Sequence, residues 1–235
     1  MVVTLLPGMD GTGILLNEFV RRLPEGVDAN VVRYPVDRYL TYEQLAEMVT
    51  RLLPVCEPYA IIAESYSGPV AALLAARPVG NLQAVVFVSS FVSLPCGRIG
   101  AWIAKMLPAL LFRPRAPASM LRWLLMNSAT TRERISELQD AVARVSPEVL
   151  VRRLRDALTA DFSEMLRGCT VRIVCLLPET DRLLGTRGLR GLLSAKPDIE
   201  IVKIAGPHFL LQCAPDICIS ALQRLGLFES PMPTR

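Results

Sequence analysis

Apolar positions along this chain come in two textures, short continuous runs and longer stretches in which they recur every three or four residues. The continuous runs are VVTLL (2–6), NVVRYPV (30–36), YAIIA (59–63), LQAVVFVSS (82–90), VRIVCLL (171–177) and IEIVKIA (199–205). Helical spacing occupies 13–23, 41–53, the stretch from Tyr66, 186–194 and a last segment to about Leu225. A strand that is apolar on both sides must be covered on both sides, as in a parallel sheet with helices on each face. The pattern predicts an α/β fold with six strands, all parallel.

One interval breaks the alternation. Residues 94–168 hold no convincing strand, but they carry helix starts at Ser128 or Thr130 and at SPE (146–148). They predict a helical cap inserted after the fourth strand, leaving 1–93 and 169–235 as the core. A length of 235 residues suits such a single domain with one insertion. The tail ESPMPTR reads as disordered.

Chemistry concentrates where the third run meets its helix. In AIIAESYSGPVAALLAA (60–76) a buried strand turns into a helix with almost no loop, and Ser65 sits in the turn among Ala63, Ser67 and Gly68. Ligands of parallel sheets bind at the carboxyl ends of strands, which is where Ser65 falls. The small neighbours give the backbone clearance for a sharp turn that exposes the hydroxyl. A helix N-cap explains an isolated Ser65 equally well, so its companions decide.

A serine nucleophile needs an imidazole base and a carboxylate to orient it. The chain has one histidine, His208, in IAGPHFLLQCAP directly after the last strand run. The preceding strand run is followed by PETDRLLG, which supplies Glu179 and Asp181, whereas VSSFVS after the fourth run offers no carboxylate. The loop after the first run, LLPGMDGTG, lacks both the G-x-G-x-x-G spacing and the Walker lysine of a phosphate loop.

Together these segments resemble the α/β-hydrolases from Val2 to about Leu225, with Ala63 and Ser67 in the places of the glycines of G-x-S-x-G. The likeness is to small, cap-bearing members that include esterases and acyl thioesterases, and the chain begins at what would be their third strand. The resemblance implies a mainly parallel six-stranded sheet and a triad in the chain order Ser65, Asp181, His208, with Asp181 preferred because TDRLL looks like the family's acid loop and Glu179 as fallback. It also implies an oxyanion hole from the backbone N–H groups of Met9 and Tyr66, with no metal and no organic cofactor. Dehalogenase and epoxide-hydrolase chemistry is disfavoured, since those relatives place an aspartate where this chain has Ser65.

The expected activity is cleavage of carboxylic esters with a small-to-medium apolar acyl group. Acyl thioester hydrolysis, or a carboxylesterase acting on acyl carrier protein esters, is the alternative within the same mechanism. A non-catalytic binding protein of the same fold is the alternative in a different class. Apolar residues of 94–168, including Trp102, Met106, Leu110, Trp123, Leu124 and Met126, would either line an acyl pocket or simply pack the cap on the core.

Charge alters this picture only locally. Residues 94–168 hold 12 Lys and Arg against 7 Asp and Glu, a net +5, while the rest of the chain has 14 against 15, a net −1. Scattered arginines such as those of VRRLRD usually solvate a helix face, but a basic cap would also attract an anionic partner such as a CoA thioester, an acidic acyl carrier protein or a membrane surface. No nucleic-acid partner is expected.

The chain is 51% hydrophobic yet has no uncharged run of about 18 residues that would suit a membrane span. The start MVVTLLPG shows no secretory signal, so a cytoplasmic location is expected. Six cysteines without a C-x-x-C pair read as reduced, mostly buried side chains rather than as a zinc site.

Overall fold

Hydrophobic periodicity becomes a single sheet with helices on both faces. The structure, a computed structural model, describes residues 1–77, 80–94, 116–127 and 130–228. Trp102, Met106, Leu110, Cys96, Ser128 and the tail from 229 lie outside the described residues.

The strands are β1 (Val2–Leu6), β2 (Asp28–Val31), β3 (Tyr59–Glu64), β4 (Leu82–Val88), β5 (Arg172–Pro178) and β6 (Glu200–Ile204). They lie in the order β2-β1-β3-β4-β5-β6, with every neighbouring pair parallel. The order runs outward in both directions from β1 and β3, so the loops after these two strands diverge to opposite sides and leave a crevice between them.

Alternate residues of the four inner strands feed two buried clusters. Leu6, Ile61, Phe87 and Cys175 pack on one face against α2 (Tyr42–Thr50), α3 (Gly68–Ala75) and α8 (Arg187–Ala195). Leu5, Ile62, Val86 and Leu176 pack on the other against α1 (Asn17–Arg21) and α10 (Pro215–Arg224). All six residues of β3 are buried, which is why the sequence shows a continuous apolar run instead of alternation. Helix α2 starts at a capping box in which Thr41 accepts from the Gln44 N–H and the Gln44 side chain accepts from the Thr41 N–H.

Most strand ends shift by one or two residues from the sequence expectation, and two boundaries differ by more. The second strand is 28–31 rather than 30–36, because the chain then peels off the sheet edge toward the loop after β1, with the Tyr34 N–H donating to the Gly11 carbonyl at 2.8 Å. The last helix is also divided, into α9 (Leu210–Cys213) and α10, since Pro215 has no N–H to continue the first piece.

Among the described residues, four helices lie between β4 and β5: α4 (Ala118–Leu125), α5 (Arg132–Ala143), α6 (Pro147–Thr159) and α7 (Ser163–Arg167). Thr131, rather than Ser128 or Thr130, caps α5 by accepting from the Arg134 N–H, while Ser146 caps α6 as its SPE signal predicts. Leu121, Met126, Ile135 and Leu138 form a small cluster of their own that meets Phe209. Leu166 of α7 belongs instead to the main cluster beneath the sheet. Among the described residues, no helix is long and apolar enough to cross a membrane.

Candidate active site

The chain turns sharply at the end of β3. Ser65 has φ +48°, the left-handed region that non-glycine residues rarely enter, and a single 3₁₀ turn (Ser65–Ser67) leads into α3. The conformation is held from two sides. The Ser90 hydroxyl donates to the Ser65 carbonyl at 2.6 Å, and the Ser67 hydroxyl donates to the Pro7 carbonyl at 2.5 Å and meets the Tyr34 hydroxyl at 2.7 Å. Gly68 is required by space, because a Cβ there would stand 2.0 Å from the Phe91 carbonyl oxygen.

Three sequence-predicted residues meet here. His208 Nε2 lies 2.9 Å from Ser65 Oγ, and His208 Nδ1 lies 2.9 Å from Asp181 Oδ2. The imidazole and the carboxylate are almost fully buried, with 1% and 3% of their side-chain surfaces exposed. Burial alone would push the Asp181 carboxyl up. The hydrogen bond and charge of His208, with the N–H groups of Leu184 and Leu183 on Asp181, outweigh it and hold the group below the ordinary aspartate value. Glu179 is exposed and makes no hydrogen bond to His208; its N–H continues the pairing with β6 by donating to Ile204.

The loop after β1 crosses in front of Ser65. The Gly11 N–H donates to the Gly8 carbonyl at 3.0 Å, closing a turn around Met9 and Asp10. A trans peptide sets its N–H opposite its C=O, so holding the Gly8 carbonyl inside the turn directs the Met9 N–H outward. Asp10 stiffens the same loop by accepting from the backbone N–H and hydroxyl of Thr12.

Beside these groups is a partly open, largely apolar cavity of about 240 Å³. Ser65 and His208 form part of its wall, and Leu125, Leu138, Leu150, Leu154 and Leu158 from α4, α5 and α6 form much of the remainder. Trp123, Leu124 and Met126 do not line it: Trp123 is exposed beneath the Arg182 guanidinium, and Met126 is packed inside the small α4–α5 cluster. Which turn of α4 faces the site could not be read from its composition.

Two charged residues in or beside the site carry roles that the sequence did not disclose. Glu64, just before Ser65, is 3% exposed and lines the cavity, and its Oε1 has no partner among the described residues. Burial pushes its carboxyl up to about 7; the nearby Gln212 amide works against the rise and the Asp10 charge adds to it. Arg153, grouped by sequence with Arg152 and Arg155 as a solvated or substrate-steering face, is 1% exposed and turned inward. A buried guanidinium steers nothing in solution, so the basic interval offers fewer free charges than its composition suggested. Arg152 does remain exposed, over the Tyr39 ring.

No protein-family model matches the chain, and no curated protein matches it by sequence. Solved structures do match over nearly the whole chain. A thermophilic esterase from Thermogutta terrifontis, described with malate bound, superposes with a TM-score of 0.79 at 16% identity, covering 96% of this chain and 89% of its own. An enol-lactonase from Burkholderia xenovorans LB400 superposes with 0.75 at 15% identity, over 95% and 90%. A bacterial membrane phospholipase A gives 0.77 at 14% identity, over 97% and 80%. With its six parallel strands in this order and these structural neighbours, the protein has the α/β-hydrolase fold.

Proposed function

We propose that the protein is a serine hydrolase that cleaves carboxylic esters with a small-to-medium apolar acyl group through an acyl-enzyme. The observation that carries this reading is the hydrogen-bonded line from Ser65 through His208 to Asp181, opening into an apolar cavity. A buried aspartate with its charge retained keeps the imidazole Nδ1 protonated and leaves Nε2 free to accept the serine proton.

Ser65 Oγ attacks the ester carbonyl as its proton passes to His208 Nε2, and the carbonyl π electrons move onto oxygen. The N–H groups of Met9 and Tyr66 stabilise that oxyanion. Collapse of the tetrahedral species breaks the bond to the alkoxy oxygen, which leaves as the alcohol with the proton from His208. A water molecule, deprotonated by the same nitrogen, then releases the carboxylic acid and regenerates Ser65.

The cavity supports an apolar acyl portion because leucines form much of its wall. The helices between β4 and β5 serve in this reading as the cap that excludes water from the acyl-enzyme. A thioester of CoA or of an acyl carrier protein would use the same steps, but the buried Arg153 removes one of the cationic side chains that would favour it.

Labelling with a fluorophosphonate, followed by a chain-length profile on p-nitrophenyl esters and acyl-CoAs, tests the proposal. Phosphonylation of Ser65 and turnover of short-to-medium esters are expected. A chain that binds esters without reacting with the probe is the non-catalytic binding protein instead.

A further inference from the structure

Arg153 belongs to α6, yet its guanidinium is spent on the loop after β1. Nη1 donates to the Met9 carbonyl at 2.8 Å and to the Asp10 carbonyl at 2.9 Å, and Nη2 donates to the Pro35 carbonyl at 2.8 Å. The Tyr34 ring lies 5.8 Å from the guanidinium carbon. Among the described residues the cation is therefore held by main-chain carbonyls rather than by a carboxylate. Burying a charge is costly unless it is hydrogen-bonded, and here the planar fork of arginine reaches three carbonyls through Nη1 and Nη2, with Nε unpartnered among the described residues.

A second observation ties the loop sequence to this side chain. Gly11 has φ +72°, and a Cβ there would stand 2.6 Å from Arg153 Nη1 and 2.9 Å from the Tyr34 Cβ. The loop is thus shaped around the guanidinium as well as around Ser65.

We infer that Arg153 is a positioning residue for the oxyanion loop, and that it makes alignment of the Met9 amide with Ser65 depend on the docking of α6. The inference rests on the hydrolase reading for its catalytic consequence. Two consecutive carbonyls directed at one cation fix the planes of the peptides after Met9 and Asp10, while the Gly8–Gly11 hydrogen bond fixes the peptide before Met9. Without the cation, the Met9 and Asp10 carbonyls lose their partner, and the turn is left to the Gly8–Gly11, Tyr34–Gly11 and Asp10–Thr12 hydrogen bonds, none of which fixes the peptide after Met9. If α6 moves away, the guanidinium leaves with it, so a detached cap and a well-formed oxyanion hole do not coexist. Such coupling confines efficient acylation to the closed, water-excluding state.

The test compares the full chain carrying Arg153→Met or Arg153→Lys with the unaltered protein, well below the Tm of each. Expected results are a kcat lowered by about 10- to 100-fold with KM within about 3-fold, since one oxyanion donor is worth about 10²–10³ in kcat and here it is misaligned rather than removed. Affinity for a trifluoromethyl ketone, which forms a tetrahedral adduct, should fall in parallel with kcat, and the lysine variant should recover part of both. Hydrogen exchange should accelerate in residues 8–12 and stay unchanged in β3 and β4. A lowered Tm with kcat and ketone affinity unchanged in a folded variant overturns the inference and leaves Arg153 a structural pin. Should the methionine variant not fold, the lysine variant decides by the same readings. Failure of the hydrolase reading is distinguishable, because the unaltered protein would then neither turn over esters nor react with a fluorophosphonate; unchanged exchange in residues 8–12 would still overturn the hold of Arg153 on the loop.

Discussion

Ser65 Oγ and His208 Nε2 lie 2.9 Å apart, although 143 residues separate them in the chain. One stands at the end of β3 and the other just after β6, three strands away across the sheet. Parallel strands bring every carboxyl-end loop to the same edge, so residues that follow β3, β5 and β6 can meet there. Asp181, after β5, stands beneath the imidazole and meets its second nitrogen.

Replacing Ser65 by alanine should leave the fold intact and lower kcat for ester hydrolysis by about 10³-fold or more. The turn already accepts Ala63 and Ser67 nearby, so a missing hydroxyl leaves the packing unchanged. Circular dichroism and steady-state kinetics on a p-nitrophenyl ester check both halves; substantial residual turnover would remove Ser65 from the mechanism.

Asp181→Asn should lower kcat by about 10⁴-fold, because an amide lets the imidazole carry its proton on the wrong nitrogen. Glu179→Gln should change kcat by less than about 2-fold, as its side chain is exposed and makes no hydrogen bond to His208. The two variants measured side by side discriminate the carboxylates, and a reversed order would reassign the acid.

Glu64 should impose a pH slope on stability. Its folded carboxyl titrates at about 7 against an ordinary 4.5, so between those values the unfolded chain releases a proton that the folded chain keeps. Stability therefore falls as pH rises through this window and levels off above it, by on the order of 3 kcal/mol in total. Glu64→Gln is neutral throughout, so urea unfolding from pH 4.5 to 8 should show the variant gaining on the unaltered protein as pH rises. Parallel curves would show that the carboxyl ionises normally in the folded state.

Gly68→Ala should damage the fold rather than the chemistry alone. The added methyl would meet the Phe91 carbonyl oxygen and the Ser90 hydroxyl, at 2.0 and 2.4 Å, and neither can withdraw without disturbing the Ser65 turn. The loss should reach or exceed the ~1–3 kcal/mol typical of an overpacked core. A denaturation midpoint equal to that of the unaltered chain would mean that the turn relaxes more easily than its contacts imply.

Sequence alone determined the layered fold, because burial on both faces of a parallel sheet writes continuous apolar runs into the chain. All six runs became strands, and VVTLL matches β1 residue for residue. Ser65, Asp181 and His208 were also legible, since each follows a strand and strand ends share one edge. Tertiary structure decided what depends on contacts between distant segments. The run at 30–36 leaves the sheet early because Tyr34 is drawn to Gly11, and Arg153 looks like any surface arginine until α6 docks and Met9, Asp10 and Pro35 present their carbonyls to it. Glu64 reads as a charged residue beside a serine, and only its enclosure raises its pKa toward neutrality. Periodicity records which side of an element is covered; it does not record what covers it, and charge, pKa and the hold on a loop are set by that second fact.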